Sequence, residues 1–389
     1  MDFKRYIHAH SDELLASLAA LVRIPSVEGE PEEGAPFGKE PARCLHEMLA
    51  LCEKLGFPTE NMDDRVGWCE YGEGEEMVAV LGHLDVVPAG DGWTESEPFS
   101  GEIKNGRIYG RGTMDDKGPM VAAVYALAAL KQSGFQPSRR IRVIFGTNEE
   151  TGCGDMAWYA SHGGEMPVMG FTPDGEYPLI NGEKGILNGT YTRTLHQTGD
   201  YILTRFEGGE ASNISPAYAV AEVKCPAEAA SKIAAEKVTV TPIDGGIRVE
   251  AEGVAVHGST PELGENAIGR LAMALAQLPF TGETGECLAF VSERLGMETH
   301  GESLGLAMRD GVSGDLTMNV GVASFENETL SLTFSVRYPV TLPYELVYPR
   351  LKRGFTLGGF TETEMTHAAA LYIPKDSELI RRLLGVYAA

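Results

Sequence analysis

The chain has 389 residues, 43% of them hydrophobic and 23% charged, which is ordinary globular usage with room for two domains of about 150 residues or one very large one. That composition excludes a disordered tail protein, a collagen-like repeat and a coiled coil. Thirty-two basic against 56 acidic residues leave a net charge of −24, a field that repels phosphate backbones and anionic membranes, so no nucleic acid and no membrane is expected as a partner.

From the N-terminus, Met1 to Arg5 lead into a polar helix rather than a signal peptide. Helical periodicity covers Ser11 to Val22 and Glu40 to Leu55, and Met77 to Val87 is an apolar run of strand length. No run approaches the ~20 apolar residues of a membrane span. The strand passes into Gly82-His83-Leu84-Asp85-Val86-Val87-Pro88, where His83 and Asp85 alternate along an extended backbone and leave the same face. A metal-binding histidine needs an acceptor for its second ring nitrogen, and Asp85 is placed to supply it. A buried structural His–Asp pair fits this segment equally well.

Next comes Tyr109-Gly110-Arg111-Gly112-Thr113-Met114-Asp115-Asp116-Lys117-Gly118-Pro119, ahead of an alanine-rich helix over Met120 to Lys131. Its glycines let the backbone bend tightly around the paired aspartates. A turn with a helix-capping aspartate accounts for one of the two acids but not for the whole string. Arg140 to Gly146 is another strand, and it ends in Thr147-Asn148-Glu149-Glu150-Thr151-Gly152. Adjacent glutamates on an extended chain face opposite ways, so one can ligate a metal while the other accepts a proton. Two carboxylates in one pocket cost several kcal/mol unless cations compensate, which favours a metal. Phe171-Thr172-Pro173-Asp174-Gly175 adds one more carboxylate after a short apolar run.

Near-continuous apolar strands separated by helices indicate a largely parallel sheet covered on both faces, the α/β class, with ligands at the carboxyl ends of strands. Beyond about Lys184 the strands alternate, as in Leu316 to Phe325 and Thr329 to Tyr338, with helices at Leu263 to Leu278 and Pro343 to Arg353. This part is expected to be an inserted α+β domain at 185–366, leaving 1–184 and 367–389 to the first. A last helix starts at Asp376 with Leu379, Ile380, Leu383 and Leu384 at helical spacing, and the chain's end at Ala389 reads as premature. Cys44, Cys52, Cys69, Cys153, Cys225 and Cys287 form no C-x-x-C pair, which fits free thiols in a reducing cytoplasm.

The four motif segments, G-H-L-D-V-V-P, Y-G-R-G-T-M-D-D-K-G-P, G-T-N-E-E-T-G and F-T-P-D-G-E-Y-P-L-I-N-G-E-K-G, together resemble the co-catalytic zinc peptidase family of aminoacylase, carboxypeptidase G and the carnosinases. The likeness is closest to its PepV-type dipeptidase (Xaa-His dipeptidase) branch and runs from the N-terminus to the last residue. It implies a mainly parallel-sheet catalytic domain with an inserted α+β lid, two zinc ions with manganese or cobalt as substitutes, and hydrolysis of dipeptides. It further implies that Asp115 bridges the two ions, that His83 and Asp174 complete one site, and that Glu150 binds the other. Glu149 is implied as general base, with Asp85 behind His83. Gly253-Val254-Ala255-Val256-His257-Gly258-Ser259 resembles the family's lid segment, whose histidine donates to the developing oxyanion. Asn213 and Arg337 resemble the residues that hold the substrate's free carboxylate, for which an arginine fork is suited. His8, His10, His46, His162, His196 and His300 match nothing catalytic.

The family's later G-G-G-T segment, which gives the second zinc a histidine, has no counterpart here, and His367 matches an earlier position and is not taken as a ligand. About the last fifth of a PepV-type chain is expected to be absent. Two expectations therefore stand side by side: an active metal-dependent dipeptidase, and an inactive fragment that binds at most one metal. An aminoacylase or desuccinylase would use the same metal motifs.

Overall fold

The computed structural model describes residues 3–388. By their contacts these residues divide after Leu179 into two compact units, each with its own core.

The first unit opens with helices α1 (Phe3–Ala9), α2 (Ser11–Val22) and α3 (Lys39–Lys54), followed by strands β1 (Thr59–Met62), β2 (Val66–Tyr71) and β3 (Met77–His83). A small hairpin, β4 (Glu102–Lys104) and β5 (Arg107–Tyr109), precedes α4 (Lys117–Gln132) and β6 (Arg140–Gly146), and α5 (Gly154–Ser161) precedes β7 (Met169–Phe171). The sheet order is β1-β2-β6-β3-β7. β3 runs parallel to β6 on one side and to β7 on the other, while β2 and β1 extend the sheet antiparallel beyond β6. The chain thus leaves β3 to one side for β6 and returns to its other side for β7, which makes the carboxyl end of β3 the switch point where a crevice opens.

Burial follows from alternation along the strands. Val143 and Phe145 of β6 join α2, α3 and α4 in one core, and Ile144, between them, faces the other way onto Tyr159 of α5. α4 buries a stripe of Met120, Val121, Val124, Tyr125 and Ala128. Lys117, fully buried at its start, donates from Nζ to the carbonyls of Leu21 (3.0 Å) and Ile24 (2.8 Å), satisfying carbonyls at the end of α2.

The second unit begins with β8 (Gly182–Glu183), β9 (Gly185–Thr194), β10 (Ile202–Gly208), β11 (Tyr218–Lys224), β12 (Val238–Ile243) and β13 (Gly246–Glu252). Then follow α6 (Ala267–Leu275), α7 (Gly282–Phe290), the short strands β14 (Arg309–Asp310) and β15 (Gly314–Asp315), β16 (Thr317–Glu326), β17 (Thr329–Tyr338), α8 (Tyr344–Leu357), β18 (Thr361–Ala368), β19 (Leu371–Tyr372) and α9 (Glu378–Tyr387). Eight strands form one antiparallel sheet, β12-β13-β11-β10-β16-β17-β9-β18. One face, with Leu332, Phe334, Val336 and Tyr338 of β17, packs under α6, α7 and α8. The other carries the alternate hydroxyl and amide side chains of β9, β16 and β17.

Residues 367–389, expected with the catalytic domain, fall in the second unit, because β18 continues its pairing with β9 through Ala368 and β19 pairs with β8. The helix expected from Leu263 starts instead at Ala267, after a 3-10 turn at Pro261–Leu263. Among the described residues no helix is long and apolar enough to cross a membrane, and all six cysteines are free.

Candidate metal centre

His83 ends β3, Glu149 and Glu150 follow the end of β6, Asp174 lies three residues beyond β7, and Asp115 stands just before α4. The sheet therefore brings all five side chains to its carboxyl edge. His83 is 2% exposed and its Nε2 lies 3.0 Å from Asp115 Oδ1, 3.5 Å from Asp174 Oδ2 and 4.0 Å from Glu149 Oε2. On the other side of the ring, Nδ1 meets the Asp85 carbonyl at 3.0 Å and the Asp85 carboxylate at 3.4 Å. Both are acceptors, so Nδ1 carries a proton and Nε2 is the nitrogen whose lone pair can face an ion.

Asp85, 1% exposed, does more than stand behind His83. Its Oδ1 accepts the Glu149 N–H at 3.1 Å and its Oδ2 the Glu150 N–H at 3.0 Å, so one carboxylate ties the end of β3 to the loop after β6. Two further buried carboxylates shape the edge, each beside a glycine that leaves room for it. Asp116 Oδ2 accepts the His83 N–H at 3.2 Å, and a Cβ at Gly82 would lie 2.0 Å from that oxygen. Asp155 Oδ2 accepts the Thr147 N–H at 2.7 Å and the Asn148 N–H at 3.0 Å, and a Cβ at Gly146 would lie 2.4 Å from it. Asn148 closes the loop by accepting the Gly154 N–H at 3.0 Å. Asp155 and Asn148 escape a reading of the sequence: an acid at the start of a helix reads as a dipole or capping residue, and only the folded turn shows which N–H groups it takes.

The electrostatics are those of several carboxylates gathered around one imidazole. Burial raises the carboxyl pKa of Glu149, Glu150 and Asp174 above the usual range, with repulsion from neighbouring carboxylates adding to it. Burial pushes Asp116 up to about 7 against the opposing pull of His83. Burial alone would lower His83, but its hydrogen bond to Asp85 and the charges of Asp85, Asp116 and Asp174 outweigh that and push it up to about 10. Among the described residues no lysine or arginine forms an ion pair with this cluster.

Two sets of donor atoms lie within 4.8 Å of one another and could hold a metal ion: His83, Glu149 and Asp174, and His83, Asp115 and Glu150. One imidazole with several oxygens suits zinc, manganese or cobalt, and the orphaned, buried Asp116 Oδ1 marks the same edge as short of positive charge. Both glutamates are in ligand range, so position alone does not separate the expected base, Glu149, from the expected ligand, Glu150.

The remaining expected site residues belong to the second unit. Ile214 forms an antiparallel bridge with His257, and the Asn213 carbonyl accepts the Gly258 N–H at 2.6 Å, so Asn213 and His257 are neighbours. The Ser259 N–H donates to His257 Nδ1 at 3.3 Å, which makes Nδ1 an acceptor and leaves Nε2 to carry the proton of the neutral ring. Asn319 donates from Nδ2 to the carbonyls of Ser212 (2.9 Å) and Ile214 (3.0 Å), holding this loop at the end of the sheet where Arg337 pairs with Thr317. His367 is occupied elsewhere, bonded through Nε2 to Tyr338 Oη at 2.8 Å and stacked on Tyr344.

Residues 79–370 match the family model described as peptidase family M20/M25/M40. The beta-Ala-Xaa dipeptidase of Lactobacillus delbrueckii subsp. lactis is 34% identical over 406 residues, covering 100% of this chain and 84% of that protein. Among solved structures, aminoacylhistidine dipeptidase from Vibrio alginolyticus superposes with a TM-score of 0.54 at 14% identity, over 95% of this chain and 81% of that one. Human carnosine dipeptidase 1 does so with 0.52 at 16% identity, over 100% and 85%. At such identities the structural likeness speaks for the fold.

Proposed function

Since the chain belongs to peptidase family M20/M25/M40, we propose that it is a metal-dependent dipeptidase acting on dipeptides with a free C-terminus. The observation that carries this reading is the single imidazole His83, its Nδ1 committed to Asp85 and its Nε2 turned to carboxylates from three different loops. The match in name and sequence to a dipeptidase along the whole chain supports the substrate class.

In this reading His83, Asp115 and Asp174 would hold one divalent ion and Asp115 with Glu150 a second, zinc being the expected metal, with manganese or cobalt able to substitute. Divalent metal, when bound there, supplies Lewis-acid polarisation of the scissile carbonyl and makes water acidic enough to attack. Glu149 takes the proton of the attacking water and passes it to the leaving amine, a task suited to a carboxyl whose pKa burial has raised. Asp85 holds His83 and, through the two backbone N–H groups, both glutamates. His257 offers its Nε2–H to the oxygen on which charge develops, and Arg337 and Asn213 hold the substrate's carboxylate. The first unit, to Leu179, serves as the catalytic domain and the second as the lid, and the free thiols suit a reducing cytoplasm.

The experiment compares Glu149→Ala and Glu150→Ala in metal content and in turnover of L-alanyl-L-alanine. Glu149→Ala should keep its metal and lose roughly 10²–10⁴-fold in rate, whereas Glu150→Ala should lose metal. The reverse pattern would exchange the two roles. Hydrolysis of N-acyl amino acids or succinylated diamines but not of dipeptides would overturn the substrate class.

A further inference from the structure

Four polar atoms in one patch of the second unit's sheet are buried without a hydrogen-bond partner among the described residues: Arg337 Nε, Ser335 Oγ, Thr317 Oγ1 and Asn188 Oδ1. Buried polar groups are nearly always paired, so such a concentration calls for an explanation. The four side chains share a face. Arg337 on β17 pairs with Thr317 on β16, and Ser335, two residues earlier on β17, pairs with Asn188 on β9, while the alternate residues Phe334 and Val336 belong to the core. Ser335 is 1% and Thr317 5% exposed. The Arg337 guanidinium is half-buried, forms no ion pair among the described residues, and has its pKa lowered by that burial.

A guanidinium carries five N–H donors and no acceptor, and a bidentate carboxylate occupies two of them. Three donors are then left, and the patch holds three oxygens able to accept: the Ser335 and Thr317 hydroxyls and the Asn188 amide oxygen. The asparagine oxygen can only accept, so it is matched to an N–H and to nothing on a carboxylate. We propose that Ser335, Thr317 and Asn188 are the seat of the carboxylate subsite, positioning residues that take the three N–H groups of Arg337 left over when a planar carboxylate occupies its fork. This rests on the reading that Arg337 holds the substrate's C-terminal carboxylate. Without an anion the guanidinium stays out of the seat and the four atoms remain unpaired. The carboxylate draws it in and satisfies all of them together, which selects a planar two-oxygen ligand over a carboxamide.

The test uses the metal-loaded protein with L-alanyl-L-alanine and its C-terminal amide. Ser335→Ala, Asn188→Ala and the near-isosteric Thr317→Val should each lower kcat/KM for the free dipeptide by about 10-fold, chiefly through KM, and should lower it less for the amide. In an Arg337→Ala background the same substitutions should cause little further loss, because they act through the guanidinium. Equal losses on dipeptide and amide, or undiminished losses without Arg337, would overturn the seat. If Arg337→Ala itself leaves the dipeptide-to-amide ratio unchanged, the carboxylate reading fails first. A readout independent of turnover is the Arg337 Nε–H nuclear magnetic resonance signal on titration with L-alanine. It should shift and exchange more slowly in the parent protein, should not respond to L-alaninamide, and should lose its response in Asn188→Ala. A signal that moves identically in Asn188→Ala would overturn the proposal even if one of the hydroxyl variants failed to fold.

Discussion

Asp155 shows how much of a site can rest on a side chain that touches none of its chemistry. Its carboxylate takes N–H groups from Thr147 and Asn148 and, through Oδ1, from Met156 at 2.7 Å, and so fixes the turn from which Glu149 and Glu150 project. Burial nonetheless raises its pKa, those three N–H bonds only partly opposing the cost of desolvation. Asp155→Asn keeps the shape but replaces one accepting oxygen by an NH2 group that would confront a backbone N–H. The variant should lose about 2 kcal/mol of stability and should also lose turnover, because the glutamates are no longer held in place. Thermal melting and kcat together check this, and a variant that melts lower but turns over normally would confine Asp155 to stability.

At the scale of elements, α6 is a case where the sequence misled and the fold explains why. Leu263 to Leu278 has helical spacing, but Pro261 to Leu263 form a separate 3-10 turn and the helix begins only where Asn266 caps it, accepting from the Ile268 and Gly269 N–H groups. The same side chain donates from Nδ2 to the Val320 carbonyl at 2.8 Å beside the bulge in β16. Asn266→Ala should therefore cost about 1–2 kcal/mol, read as a lower denaturant midpoint with an unchanged slope. β3 was legible as an apolar run of strand length and β6 from the alternation of Arg140 and Arg142 with Ile141 and Val143, and the motif residues at their ends could be placed by chain position alone. β10 and β11 left no comparable signature, since Leu203 and Phe206 are buried three residues apart across a bulge, Ala219, Val220 and Ala221 are buried in succession, and their register depends on partners distant in sequence. Ser335, Thr317 and Asn188 were illegible for the same reason: each is an unremarked polar residue until pairing sets the three beside Arg337.

For the whole molecule, a net charge of −24 and a cluster of buried carboxylates act in the same direction on stability. Asp116 titrates at about 7 in the folded protein against an ordinary value of 3.8, so the folded state binds that proton more tightly. Its contribution is fully present below about pH 4 and is lost as pH rises through 7. His83, raised from 6.5 to about 10, contributes below 6.5 and loses its contribution as pH rises through 10. The metal-free protein should therefore melt at a lower temperature at pH 8 than at pH 5, and Asp116→Asn should flatten the slope between them. A parent slope unchanged by that substitution would assign the effect to His83 and the net charge rather than to Asp116. The order of the units along the chain bears on how the protein is made. Both candidate ligand sets lie between residues 83 and 174, inside a unit that is contiguous to Leu179. Synthesis proceeds from the N-terminus and domains fold as units in that order, so these side chains leave the ribosome before His257 or Arg337 has been joined to the chain. On the proposed assignment of roles, the ligand sets would be complete in the nascent chain before the residues proposed to hold a substrate exist, so metal loading would not have to compete with the peptides of the surrounding cell.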